Sequence, residues 1–203
     1  ARKILALRDS AETEMAEYQG LIKGKIKIGG STIPGSYILP RFIGQFVSKN
    51  PEVKITLIIN DTLKIIEEII NGDLEIGVVG AESGDRRIVQ APLIKDNMCV
   101  IVPKEHKWFD KNEISPEELI KEPFIIREEG SGTRTSLGKK LEKSGIALDD
   151  FNITAELGST SSVIQGIKNG LGISVLSSIA VSEDLKTKNL KALKVKGVDL
   201  SRQ

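Results

Sequence analysis

The sequence predicts an α/β fold of two Rossmann-like lobes preceded by an N-terminal helix, on three observations. Segments patterned as strands and helices alternate from Lys25 onward, the signature of doubly wound parallel sheets. A strand–Thr–helix–Asn-Gly–strand unit occurs once in each half of the chain. The first 22 residues carry an apolar stripe that repeats at seven.

The elements follow in order. Ile4, Ala11 and Tyr18 fall seven apart, and Leu7, Glu14 and Leu21 form a second seam with Met15 and Ile22 beside it. So narrow a stripe belongs to a helix that pairs with another helix, or to one packed on its own domain, and Glu14 interrupts it. Lys25–Gly29 alternates polar and apolar residues as a strand. Ser36–Lys49 reads as a helix with Leu39, Phe42, Ile43 and Phe46 on one face, stopped by Asn50-Pro51. Val53–Ile59 is β-rich, Thr62–Ile70 helical, and Leu74–Val79 a strand; Val89–Leu93 and Met98–Pro103 read as further strands. Ser115 caps a helix start, with Pro116 at its first position and acids in the first turn. Phe124–Arg127 is a strand, Gly132–Ser144 a helix, Ile153–Leu157 a strand, Ser161–Lys168 a helix and Gly172–Leu176 a strand. A short helix near Ile179–Glu183 and a strand near Leu190–Val195 complete the series.

In the repeated unit, nine positions separate Thr62 from Asn71 and nine separate Thr160 from Asn169. Two lobes of similar topology account for this. So does chance, because Asn-Gly is an ordinary helix end.

Lys plus Arg number 29 against 28 Asp plus Glu, which excludes a domain that grips nucleic acid through bulk charge. The single cysteine, Cys99, permits no intramolecular disulfide and suits a reducing compartment. No apolar run approaches the ~20 residues of a membrane span, and the N-terminus lacks the apolar core of an export signal. A cytoplasmic location is expected. The start at Ala1 points to a piece of a longer chain.

Four strand-to-helix junctions are rich in hydroxyls: Ser31-Thr32, Asp61-Thr62, Ser131-Thr133 and Ser159-Thr160. In open α/β sheets such junctions face the ligand crevice, where helix N-termini offer free N–H groups. The same residues also serve as ordinary helix caps. The segment Phe124–Arg134, FIIREEGSGTR, places Arg127 at a strand end and glycines at the next helix start. Arg127 then faces the crevice or pairs with Glu128, Glu129 or another acid; Arg134 lies on a solvated face. The segment is not a nucleotide P-loop. Catalytic signatures are thin. The one histidine, His106, sits in a polar loop, and Cys99 lies in an apolar strand where a buried, inert thiol is expected. Trp108 packs at a loop base. No cofactor, metal or catalytic residue is expected.

Several motifs in this order resemble the effector-binding domain of LysR-type transcription regulators. They are GKIKIGGSTIPGSYILP (Gly24–Pro40), the helix ending in Asn50-Pro51-Glu52-Val53, NGDLEIGVVG, PFIIREEGSGTR and GIKNGLGISVLS. PFIIREEGSGTR is similar to the subgroup that regulates carbon fixation and sulfur assimilation. The resemblance implies a type 2 periplasmic-binding-protein-like fold with a hinge, crossed first near Leu93–Asn97 and again near Lys194–Gly197. Residues 1–23 would be the linker and dimerisation helix, residues 24–93 with 195–203 lobe I, and residues 94–194 lobe II. By position, Ser31, Thr32 and Ile33 correspond to the first effector-contacting loop, Thr62 to the second and Ser159-Thr160 to a second-lobe loop, joined by Arg127, Ser131 and Thr133. The winged helix-turn-helix that precedes this domain in the family is not in the sequence, and a final strand and helix are expected after Ser201.

The sequence therefore reads as an effector-binding and oligomerising module rather than an enzyme. Its partners would be a small polar or anionic effector, a second copy in a homodimer or higher oligomer, and DNA only through the missing head; no membrane partner is expected. A solute-binding receptor of a transport system with the same fold is the alternative.

Overall fold

The computed structural model describes residues 22–203, so the N-terminal helix expected from the heptad stripe lies outside the described residues. The first sheet is parallel, with β1 (Gly24–Ser31) between β2 (Val53–Asn60) and β3 (Ile76–Val78). Its register sets Ser31 beside Asn60 and Gly30 beside Val78. The carboxyl ends of all three strands thus emerge together, as the crevice argument requires. After β1 the chain makes a π-helical turn, Pro34–Ile38, that runs into α1 (Leu39–Lys49). The sequence predicted one uninterrupted helix here. Helix α2 (Thr62–Ile70) buries Ile65 and Ile66.

The second sheet centres on β4 (Asp96–Pro103), paired antiparallel with β8 (Ser174–Ser177) and β9 (Leu190–Val195). β5 (Glu113–Ile114) adds to β9 in parallel. β6 (Phe124–Arg127) pairs in parallel with β7 (Ile153–Leu157) and bridges to Ile173. Helices α3 (Pro116–Leu119), α4 (Gly132–Glu142), α5 (Thr160–Lys168) and α6 (Ser182–Lys186) complete this half. Its sheet is mixed, not the all-parallel sheet that the alternating pattern predicted. The strand-period alternation nevertheless explains the core. Val100, Val102, Phe124 and Ile126 enter one apolar cluster while Ile101 and Ile125 enter another. Burial on both faces produces the continuous apolar runs VIV and FII. Each such side chain contributes about 1.5–3 kcal/mol.

Val89–Leu93, read as a strand, lies outside any sheet, with Val89 99% exposed. Only Val89 in it is β-branched, and Pro92 has no N–H to give to a ladder. Conversely, β5 and β10 (Ser201–Arg202) are two-residue strands without a pattern to read. Lys194 and Val195 still pair with Glu113 and Ile114, and β10 lies antiparallel to the start of β4, with Ser201 beside Asn97 and Arg202 beside Asp96.

The repeated unit is realised at both places. Asp61 and Ser159 cap their helices, accepting from the backbone N–H of Lys64 at 2.9 Å and of Ser162 at 3.1 Å. Gly72 and Gly170 follow with φ of +76° and +75°, the left-handed step that ends a helix and favours glycine.

Candidate functional site

The four hydroxyl-rich junctions separate by role. Asp61 and Ser159 are caps in the ordinary sense. Ser131, at the start of α4, is buried and makes no side-chain cap. Ser31, at the end of β1, accepts from the Gly80 N–H at 3.1 Å and ties β1 to the segment after β3. Ile33 is buried beside the π-helical turn. Thr32, Thr62, Thr133 and Thr160 follow the caps or strand ends, and their hydroxyls face other elements.

Arg127 is where these elements meet. It ends β6, and its side chain is 2% exposed. Its Nη1 donates to Thr160 Oγ1 at 2.8 Å, and its Nη2 donates to Thr32 Oγ1 at 3.3 Å. One guanidinium therefore joins the start of α5 to the end of β1, across the line between the two sheets. Its Nε and Nη2 also donate to the two carboxylate oxygens of Glu128, each at 2.7 Å. The ion-pair reading of Arg127 holds, with Glu128 as the partner, and the same guanidinium also contacts Thr32 and Thr160. Arg134 lies apart. Its Nη1 donates to the Arg127 carbonyl at 3.1 Å and to Glu156 at 2.8 Å.

Thr62 is 5% exposed, and among the described residues its hydroxyl has no hydrogen-bond partner. It faces the start of α4, where a Cβ on Gly132 would stand 2.6 Å from Thr62 Oγ1. Only glycine lets these two helix starts come so close. Thr133 accepts from Arg202 Nη1 at 3.3 Å, and Ser136 Oγ donates to the Gly80 carbonyl at 3.3 Å. The structure thus brings Thr32, Arg127 and Thr160 into one cluster. Thr62 meets the helix start that carries the buried Ser131 and Thr133, a second contact zone, and Ser159 stays half-buried at its cap.

A buried pair that the sequence reading did not single out lies behind the second zone. Arg202 Nε and Nη2 both reach Asp96 Oδ2 at 2.9 Å, and Ser177 Oγ donates to Asp96 Oδ1 at 2.6 Å. Burial pulls the Arg202 guanidinium below its ordinary range and Asp96 opposes the shift. An aspartate opening an apolar strand was the available signal; its partner, over a hundred positions away by chain, had none.

The other singled-out residues have structural surroundings. His106 packs edge-on against the buried Trp108, with ring centroids 4.9 Å apart, and lies 3.3 Å from Glu122. Burial pulls its pKa down. The Cys99 thiol is pushed up, first by burial and then by Asp96, which opposes thiolate formation. Among the described residues, no group of three or more His, Cys, Asp or Glu is placed to hold a metal. No helix there is long and apolar enough to cross a membrane. A groove of about 750 Å³, lined by Ile33, Ile66, Gly80, Ala81, Asp96 and Arg202 among others, opens beside the second contact zone. Thr32, Arg127 and Thr160 are not in its wall.

Comparison with known proteins adds family context. The LysR substrate binding domain family matches residues 19–203. The transcriptional regulator CysL of Bacillus subtilis is 29% identical over 204 residues, covering all of this chain and 67% of that protein. An uncharacterized HTH-type transcriptional regulator of Methanocaldococcus jannaschii is 33% identical over 202 residues, covering all of this chain and 68% of that protein. The chain thus spans about two thirds of the length of these relatives. Among solved structures, the regulatory domain of Synechocystis CcmR in complex with 2-PG superposes with a TM-score of 0.80 at 26% identity, covering 89% of this chain and 85% of that one. These matches carry the type 2 periplasmic-binding-protein-like fold.

Proposed function

This chain belongs to the LysR substrate-binding domain family, and on that premise we propose that it binds a small polar or anionic metabolite where Thr32, Arg127 and Thr160 meet. Binding there sets the promoter affinity of a LysR-type regulator through a change in how two lobes sit. The observation that carries the reading is the buried guanidinium of Arg127, hydrogen-bonded to Thr160 on one side and to Thr32 on the other. A ligand inserted among these groups changes contacts in both halves at once. It shifts the arrangement of the lobes by its differential affinity for the two states and by nothing else. The N-terminus of α5, which carries Thr160, adds about 0.3–1 kcal/mol for an anion.

The reading keeps residues 1–23 as the linker helix and 24–93 in lobe I, and takes 94–200 as lobe II, because Val195 and Leu200 pack in the cluster of Val100 and Phe124; residues 201–203 return to lobe I. The hinge is assigned to the antiparallel pair Asp96–Asn97 and Ser201–Arg202, a few residues later on its return pass than Lys194–Gly197. Ser31, Ile33, Thr62, Ser131, Thr133 and Ser159 complete the effector cleft. The parent regulator works in the cytoplasm as a homodimer or higher oligomer and holds DNA through a helix-turn-helix outside this chain. It carries out no catalysis. A bound 2-PG in a related regulatory domain supports an anionic effector, and the regulator relatives favour this reading over a transport receptor.

Calorimetry of this chain against neutral and anionic metabolites, 2-phosphoglycolate included, tests the proposal. At least one compound should bind, and Thr160→Val should weaken it by about ten-fold or more. If nothing binds, or if binding is indifferent to both Thr32→Val and Thr160→Val, the proposal fails.

A further inference from the structure

We infer that Glu128 is a built-in carboxylate occupying the guanidinium fork of Arg127, and that an anionic ligand engages Arg127 only by displacing it. This rests on the cleft reading above and names what regulates that site. A guanidinium binds carboxylates and phosphates bidentately through paired N–H groups. In Arg127 the pair formed by Nε and Nη2 is given to Glu128, at 2.7 Å on each oxygen. The remaining contacts go to Thr160 and Thr32. Arg127 therefore presents a cation already neutralised by the next residue in the chain.

The second buried arginine shows what a fixed pair looks like. Asp96, the partner of Arg202, has a side chain 10% exposed and takes a second hydrogen bond from Ser177 at 2.6 Å. The Glu128 side chain is 23% exposed, and among the described residues Arg127 alone holds its carboxylate. Glu128 can turn to water, whereas Arg127, at 2% exposure, cannot. Leaving a buried guanidinium without its counter-charge is costly, so Glu128 turns away most readily when another anion arrives. A monocarboxylate exchanges like for like. A tetrahedral oxyanion has further oxygens for the Thr32 and Thr160 hydroxyls, and so displaces Glu128 more readily. The ligand class is accordingly a phosphate- or sulfate-like group.

The test titrates the 203-residue chain with inorganic phosphate at fixed ionic strength. Glu128→Gln should bind phosphate about ten-fold more tightly than the unaltered chain. Glu128→Asp, with a shorter reach to the fork, should fall between them and carries the test if the glutamine variant does not fold. Glu129→Gln removes the same charge from the exposed neighbour and should change affinity by less than about two-fold. No gain in either Glu128 variant, or an equal gain in Glu129→Gln, overturns the inference. If that result coexists with Thr160-dependent binding of a neutral metabolite, the counter-ion role falls and the cleft reading stands.

Discussion

The Asp61–Gly72 and Ser159–Gly170 segments share one local design and differ in what meets them. Each has a capping side chain, a buried threonine in the first helical turn and an Asn-Gly exit. In the second, the threonine hydroxyl accepts from Arg127 at 2.8 Å. In the first, it is buried without a partner among the described residues and lies against Gly132. A repeated backbone unit fixes where a hydroxyl sits. Its role is set by the facing element, which here is a cation in one case and a helix start in the other.

The largest effect expected from breaking this contrast is at Arg127. Arg127→Met removes the partner of Thr160, Thr32 and Glu128 together and should cost about 3 kcal/mol in urea unfolding, with ligand binding lost. Gly132→Ala comes next. Its Cβ would stand 2.6 Å from Thr62 Oγ1 and 3.3 Å from the Gly80 carbonyl carbon. Overpacking there should cost about 2 kcal/mol, and small-angle scattering should show a larger radius of gyration as the two halves part. An unchanged radius would mean that they can repack around a methyl group.

The threonine pair sharpens the comparison directly. Thr160→Val leaves a donor of the buried Arg127 unpaired and should lower stability by about 1.5 kcal/mol. The caps should behave alike in both units, so Asp61→Ala and Ser159→Ala should each lose about 1 kcal/mol. Thr62→Val deletes a hydroxyl that has no partner among the described residues and should be neutral, or stabilising by a few tenths of a kcal/mol at about the same shape. Equal losses for Thr62→Val and Thr160→Val would erase the distinction.

Much of this was legible in the sequence because local chemistry determines it. The caps at Ser115 and Ser159, the glycine exits and the apolar runs of β4 and β6 each carry their signal within a few residues. β5 and β10 were not legible, since two residues are too short to carry a period. Val89–Leu93 was misread because one β-branched residue and a leucine do not outweigh Pro92, which has no N–H for a ladder. Arg127 was visible as a cation at a strand end. Its simultaneous hold on Thr32 and Thr160, 95 and 33 positions away, is a product of topology that spacing does not encode. The Arg202–Asp96 pair was unread for the same reason.

The most direct test of the central claim is a crystal structure of this chain with the tightest-binding metabolite from the calorimetric panel. The ligand should lie within hydrogen-bonding distance of Thr32, Arg127 and Thr160, with the Glu128 carboxylate turned away if the ligand is an anion. A ligand seated instead in the groove lined by Ile66, Gly80 and Ala81, with the Arg127–Thr160 contact intact, would contradict the account.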